Sequence, residues 1–179
     1  MRLFTAIDVP DEVHTALSTL VKRLRPAARI AWSPPQNWHL TIKFIGEQEN
    51  PAQVAAELAQ VHVPAFRLAV RQIGWFPNPH HPRVLFAGIT AAEAVQELHR
   101  QTDAACARVG VPPETRPFTP HLTLARIRTP EPLGELRRQI AELEIQEFGE
   151  FEATSFWLYS STPQAGGSVY RKLKEFRLG

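Results

Sequence analysis

Two short segments of this chain carry the same potential for chemistry. His39-Leu40-Thr41-Ile42 and His121-Leu122-Thr123-Leu124 each set an imidazole two residues before a hydroxyl, and they lie 82 positions apart. A neutral imidazole accepts a proton and an imidazolium donates one. Histidine titrates near pH 6.5, so two of them supply a base and an acid close to neutrality. Threonine hydroxyls suit the non-bridging oxygens of a phosphate held between two such rings. Phosphodiester hydrolysis needs this set. A base deprotonates water on one side of phosphorus, and an acid protonates the departing oxygen on the other. No metal is required. One His-Leu-Thr segment alone reads as an ordinary half-exposed strand, and the weight comes from its repetition at a fixed offset. The residues by themselves do not say which histidine is the acid.

The repeat extends beyond the two motifs. Leu3-Phe4-Thr5-Ala6-Ile7 aligns with Leu85-Phe86-Ala87-Gly88-Ile89, Phe66 with Phe148 and Trp75 with Trp157, all at the same offset of 82. Each half opens with a strand-forming run, over residues 3–9 and 84–90. A helix follows. In the first half Asp11 is the expected N-cap, and Val13, Ala16, Leu17, Leu20, Val21 and Leu24 form one apolar stripe. In the second half the stripe is Val95, Leu98, Thr102, Ala105, Cys106 and Val109. A proline-rich loop, the histidine strand, a second helix (about 52–60 and 133–143) and extended segments (66–75 and 148–159) complete each unit. Each half therefore reads β-α-β-α-β, too small a core to stand well alone.

The predicted fold is α+β and bilobal. Two halves related by a pseudo-twofold axis, with mainly antiparallel sheets, flank a central cleft. Residues 1–179 form one domain, with repeat 1 over about 1–80, repeat 2 over about 83–162 and a last strand over 168–178. Residues 77–82 (Pro-Asn-Pro-His-His-Pro) are the expected joint between halves. Strand alternation puts His39, Thr41 and Lys43 on one face of the first motif, opposite Leu40, Ile42 and Phe44. In the second motif it puts His121, Thr123 and Ala125 together, opposite Leu122 and Leu124.

Composition narrows the class. Apolar residues make up 44% and charged residues 21%, which suits a packed domain and not a disordered chain. A net charge of +2 permits an anionic substrate without indicating a broad nucleic-acid clamp. The one cysteine, Cys106, excludes an intramolecular disulfide and a cysteine-based metal cluster. No apolar run is long enough to span a bilayer, so a reducing cytoplasm and a membrane-free monomer are expected. His80 and His81 lie in a proline-rich loop without acidic or cysteine partners and read as exposed, not metal-binding.

At its motifs the sequence resembles the two-histidine (2H) phosphoesterases, defined by a duplicated His-x-Thr/Ser-x signature. The most similar branch is the bacterial and archaeal RNA 2′,3′-cyclic phosphodiesterases, also called 2′-5′ RNA ligase-like proteins. The resemblance rests on Arg2 through Asp8, Asn37 through Gly46, Pro117 through Arg126, and the ending from Leu158-Tyr159-Ser160-Ser161 to Tyr170. Ser160 stands where an acidic residue is expected.

The resemblance implies hydrolysis of terminal 2′,3′-cyclic phosphates on RNA, or of small cyclic nucleotides, to 2′-phosphomonoesters. It implies no cofactor, and a 2′-5′ ligase activity that is formally the reverse transesterification. It makes His39 the proton donor and His121 the acceptor, and matches Arg126 to a phosphate-contacting arginine. Simple alternation puts Arg126 on the wrong face of its strand, which a bulge near Ala125 would correct. Lys43 has suitable parity and charge for the same anion. Phe4, Trp32, Phe44 and Phe118 are the aromatics available for stacking on a base. Two other readings stand beside this one: a nucleotide-binding module with little catalysis, and an esterase for another small cyclic phosphate.

Overall fold

The computed structural model describes residues 1–90 and 92–179. The chain runs β1 (Arg2–Asp8), α1 (Asp11–Leu24), a two-residue β2 (Ala31–Trp32), β3 (His39–Glu47), α2 (Pro51–Leu58) and β4 (Phe66–Phe76). The second half runs β5 (Val84–Ile89), α3 (Ala92–Ala107), β6 (His121–Arg126), α4 (Gly134–Ala141), β7 (Glu147–Ala153), β8 (Ser155–Gln164) and β9 (Gly167–Arg177). A four-stranded sheet has the order β3-β1-β8-β9, and a five-stranded sheet the order β2-β6-β5-β4-β7. Every strand pairing is antiparallel.

Helix α1 buries Val13, Leu17, Leu20, Val21 and Leu24, the helical spacing that turns one stripe inward. Its first residue is Asp11 and its cap is Pro10, so Asp11 lies one position inside the helix and makes no capping bond. Asp11 and Glu12 still sit in the first turn, where carboxylates complement the positive end of the helix dipole. Helix α2 is capped by Asn50, whose Oδ1 accepts from the N–H of Gln53 at 3.3 Å, with Pro51 following. The helices and both sheets share one continuous core, in which Leu3, Leu40, Leu85 and Leu122 are all buried.

The lobes do not coincide with the sequence halves. Strand β4 belongs to the first repeat but pairs with β5 and β7, and β8 belongs to the second repeat but pairs with β1. The five-stranded sheet thus takes β2 and β4 from the first half, and the four-stranded sheet takes β8 from the second. Two corrections follow. Residues 77–82 connect β4 to its own neighbour β5, so they close a hairpin-like connection within one sheet, with Arg83 N–H bonded to Phe76 O at 2.5 Å. The aromatic matches at offset 82 are coincidental. Trp75 lies opposite Leu85, whose repeat mate Leu3 lies opposite Ser160, while Trp157 lies opposite Ala6. Phe66 and Phe148 sit in β4 and β7, which pair with each other in one sheet.

Candidate active site

The motif strands begin with the alternation expected of them and then break it at the same repeat position. In the β1–β3 ladder Asp8 lies opposite His39, Ile7 opposite Leu40 and Ala6 opposite Thr41, but Thr5 lies opposite Lys43. Ile42 is the extra residue of a bulge, and faces swap after it. In the β5–β6 ladder Gly88 lies opposite His121, Ala87 opposite Leu122 and Phe86 opposite Thr123, but Leu85 lies opposite Ala125. Leu124 is the extra residue there, 82 positions after Ile42.

The swap decides four side chains. Lys43 turns into the interior at 4% exposure, which removes it from the phosphate-binding set. Its Nζ lies 2.6 Å from the Asp103 carboxylate and 3.4 Å from Pro112 O. Phe44 turns outward at 69% exposure, its ring 6.3 Å from Phe4 on the side of His39. Ala125 is fully buried, and Arg126 emerges on the His121 face, which resolves its parity. Phe44 and Arg126 are repeat mates, so one lobe presents an aromatic ring where the other presents a cation.

His39 and Thr41, and likewise His121 and Thr123, are half-buried on faces turned away from the core side chains Leu40, Ile42, Leu122 and Leu124. Strands β3 and β6 lie against each other where the lobes meet, at the cleft. Each imidazole rests on aromatic rings. His39 stacks on Phe4 at 4.9 Å, Phe4 stacks in turn on Tyr159 at 5.0 Å, and Tyr170 meets His39 edge-on at 5.2 Å. His121 meets Phe76 at 4.9 Å and Phe86 at 5.6 Å, both edge-on. The Phe86 ring lies over Gly74, where an added methyl carbon would come within 2.4 Å of it. No side chain fits there, so glycine at 74 is what admits the ring beneath His121.

The two imidazoles differ in their charged neighbours. Asp8, directly across from His39, accepts a hydrogen bond from the Tyr159 hydroxyl and pairs with Lys172 Nζ. Burial lowers His39 to about 4, and the Asp8 carboxylate pulls it back upward. Burial also lowers His121, the Thr119 carbonyl raises it, and Arg126 lowers it again. His121 Nδ1 lies 2.8 Å from Thr119 O. A carbonyl only accepts, so Nδ1 carries the proton and Nε2 keeps the lone pair in the neutral ring.

The remaining sequence candidates fall into place around this centre. Phe4 is buried beneath His39, Phe118 stacks on His99 at 4.2 Å, and Trp32 donates to Ala28 O at 3.3 Å. Of the four aromatics, Phe44 is the exposed one. His99 is a satisfied structural residue, with Nδ1 2.8 Å from Ile42 O. The backbone N–H groups of His80 and His81 both bond Asn78 Oδ1, at 3.0 and 2.9 Å. Sequence reasoning gave Asp8, Tyr159, Tyr170 and Lys172 no role. Asp8, Tyr159 and Tyr170 lay within the family-like segments, but nothing in their spacing links the start of β1 to the end of the chain.

Comparison with known proteins agrees with this geometry. The profile of the family described as LigT like Phosphoesterase matches residues 7–86 and 89–170, one stretch in each half. The chain is 35% identical over 190 residues to an RNA 2′,3′-cyclic phosphodiesterase of Thermus thermophilus, covering 99% of this chain and 90% of that protein. Its fold is similar to the crystal structure of TT0787 from Thermus thermophilus, with a TM-score of 0.83 and 32% identity over 99% of this chain and 98% of that one. It is also similar to E. coli LigT complexed with 3′-AMP, with a TM-score of 0.78 and 26% identity over 99% and 97% of the two chains. With a duplicated histidine strand, matched bulges and a family profile that spans both halves, this chain belongs to the LigT-like 2H phosphoesterases.

Proposed function

We propose that this protein is an RNA 2′,3′-cyclic phosphodiesterase that opens a terminal cyclic phosphate to the 2′-phosphomonoester. His39 is the proton donor and His121 the acceptor. His121 Nε2 takes a proton from water as the water oxygen bonds to phosphorus. The P–O3′ bond breaks on the opposite side, and His39 gives its proton to O3′. Thr41, Thr123 and Arg126 hold the non-bridging oxygens and their charge. The rings then return to their starting states by proton exchange with solvent. A ribose 5′-hydroxyl in place of water, with the P–O3′ bond breaking as before, gives 2′-5′ ligation. The partners are RNA ends or small nucleotides, and the protein works as a monomer in the cytoplasm.

The observation that carries the assignment of roles is the opposite charge beside the two rings. Asp8 favours the imidazolium form of His39, the form an acid needs. Arg126 favours the neutral form of His121, the form a base needs. Burial outweighs Asp8 in the free protein. A phosphate anion between the rings acts in the same direction as Asp8, so substrate itself helps to arm the acid. The names of the relatives support the substrate class.

The test is incubation of the protein, in chelator, with an RNA oligomer ending in a 2′,3′-cyclic phosphate. The expected product is the 2′-phosphate, with rates reduced about 10²–10⁴-fold in His39→Ala and in His121→Ala. A 3′-phosphate product would reverse the leaving group, and binding without turnover would favour the binding-module reading.

A further inference from the structure

The five-stranded sheet has a basic edge and an acidic edge. At the β2 end of its order Arg29, Arg83, Arg126 and Arg128 are all exposed, and none of them makes an ion pair among the described residues. Residues 25–46, 77–90 and 115–130, which hold β2, β5 and β6, contain no Asp or Glu. At the other end, β7 carries Glu147, Glu150 and Glu152 and no cation. The net charge of +2 conceals this division. We propose that the β2 edge is the docking track for the acceptor strand of ligation, a single-stranded RNA that begins with a 5′-hydroxyl. The proposal rests on the phosphodiesterase reading, with His39 as the acid and His121 as the base.

The reaction decides which sheet the strand crosses. In an in-line displacement the entering and leaving oxygens lie on opposite sides of phosphorus. In ligation the acceptor's 5′-hydroxyl gives its proton to His121 Nε2 and its oxygen bonds to phosphorus. The P–O3′ bond breaks, and O3′ takes the proton of His39. The products are a 2′-5′ phosphodiester and a free 3′-hydroxyl, so atoms and charge balance. The strand attached to the entering oxygen therefore leaves phosphorus over the five-stranded sheet, which carries His121. There a polyanion is repelled by the β7 edge and attracted to the β2 edge.

The backbone sets the arginines in series. Arg126 lies opposite Ala31 on one side and Val84 on the other. Arg29 and Arg128 each stand two residues beyond the Ala31–Arg126 pair, at the same end of neighbouring strands, and Arg83 stands one residue beyond Val84. The Ser33 N–H bonds Leu124 O at 2.9 Å and the Ile127 N–H bonds Arg83 O at 2.8 Å, so the three strands hold this end together. Arg126 serves the reacting phosphate, and the others lie further out, where the next phosphates of the acceptor fall. A guanidinium meets a phosphate with two parallel hydrogen bonds, which suits arginine to this task. Water needs no track. Arg29, Arg83 and Arg128 thus serve ligation, and hydrolysis proceeds without them.

Two measurements on the full chain test this. The first is binding of an adenosine pentanucleotide with hydroxyls at both ends, titrated at several salt concentrations. Arg29→Gln combined with Arg128→Gln should weaken binding about tenfold and lower the salt slope by about 1.4, at about 0.7 per lost phosphate contact. Equal binding by the double variant overturns the proposal. So does an equal loss in Arg171→Gln combined with Lys174→Gln, which would place the strand on β9 of the other sheet. In the second, the protein receives an RNA ending in a 2′,3′-cyclic phosphate together with excess pentanucleotide. The joined fraction of the product should fall about tenfold in the Arg29/Arg128 variant, while hydrolysis of adenosine 2′,3′-cyclic phosphate stays within about twofold of wild type. An unchanged joined fraction, or no joined product from wild type, refutes the acceptor track and leaves the phosphodiesterase standing. Absence of hydrolysis by wild type would instead sink the phosphodiesterase reading, and this proposal with it.

Discussion

Burial disfavours the charged form of His39 and pushes its imidazole down to about 4. The unfolded chain returns it to about 6.5. Between those values the unfolded state binds more protons than the folded one, so stability rises with pH across the window. The contribution is fully present above pH 6.5 and is lost as pH falls toward 4. Allowing for partial exposure, wild type should lose about 2 kcal/mol more than His39→Gln between pH 7.5 and 4.5. Urea denaturation midpoints at the two pH values measure this, and equal losses would mean that His39 is not held neutral by burial. Inorganic phosphate should narrow the difference, because an anion beside the ring favours imidazolium. An imidazole held neutral by burial can donate a proton near neutral pH only with an anion beside it.

At the scale of the element, the bulge at Ile42 is held from outside its strand. Helix α3 supplies Asp103 to the buried Lys43 ammonium and His99 to the Ile42 carbonyl. The same helix reaches the loop before His121, where Gln96 donates to Phe118 O at 2.5 Å and Asp103 accepts from Glu114 N–H at 3.1 Å. Both histidine segments are thus tied to one helix. Asp103→Ala leaves a buried ammonium without its partner and should cost about 3 kcal/mol. Lys43→Met combined with Asp103→Leu removes both charges and should recover most of that loss in thermal denaturation. It also removes the anchor that turns Lys43 inward and Phe44 outward, so KM should stay raised about tenfold while stability returns. Full recovery of KM in the double variant would show that the strand holds its bulge unaided.

At the scale of the whole molecule, the exchange of β4 and β8 makes the two halves depend on each other. Residues 1–80 alone would carry β4 with neither β5 nor β7 to pair with, and residues 83–179 alone would carry β8 without β1. Unpaired backbone and a divided core leave each half below the size at which a single core is stable. Each fragment alone should lack dispersed amide resonances, and mixing the two should restore them. A fragment that folds by itself would contradict this account.

The duplication, the two His-x-Thr strands, the amphipathic helices and the α+β class were all legible in the sequence, because each is a local pattern of side chains with its own period. The catalytic candidates could be picked out for the same reason: His39, Thr41, His121 and Thr123 all precede the bulges, where alternation still holds. What followed the bulges was not legible with certainty. Lys43 and Phe44 exchanged faces at the bulge, which turns the ammonium toward a carboxylate 60 positions away, and no period within β3 encodes that partner. Arg126 reached the right face through the matching bulge at Leu124. Asp8 stands across from His39 only once β1 and β3 pair, and Tyr159 and Lys172 reach it only once the end of the chain folds back onto β1. The sequence by itself determined which groups can exchange protons. The tertiary structure decided which charge stands beside each of them, because electrostatic neighbours come from strand pairing across the chain and not from position along it.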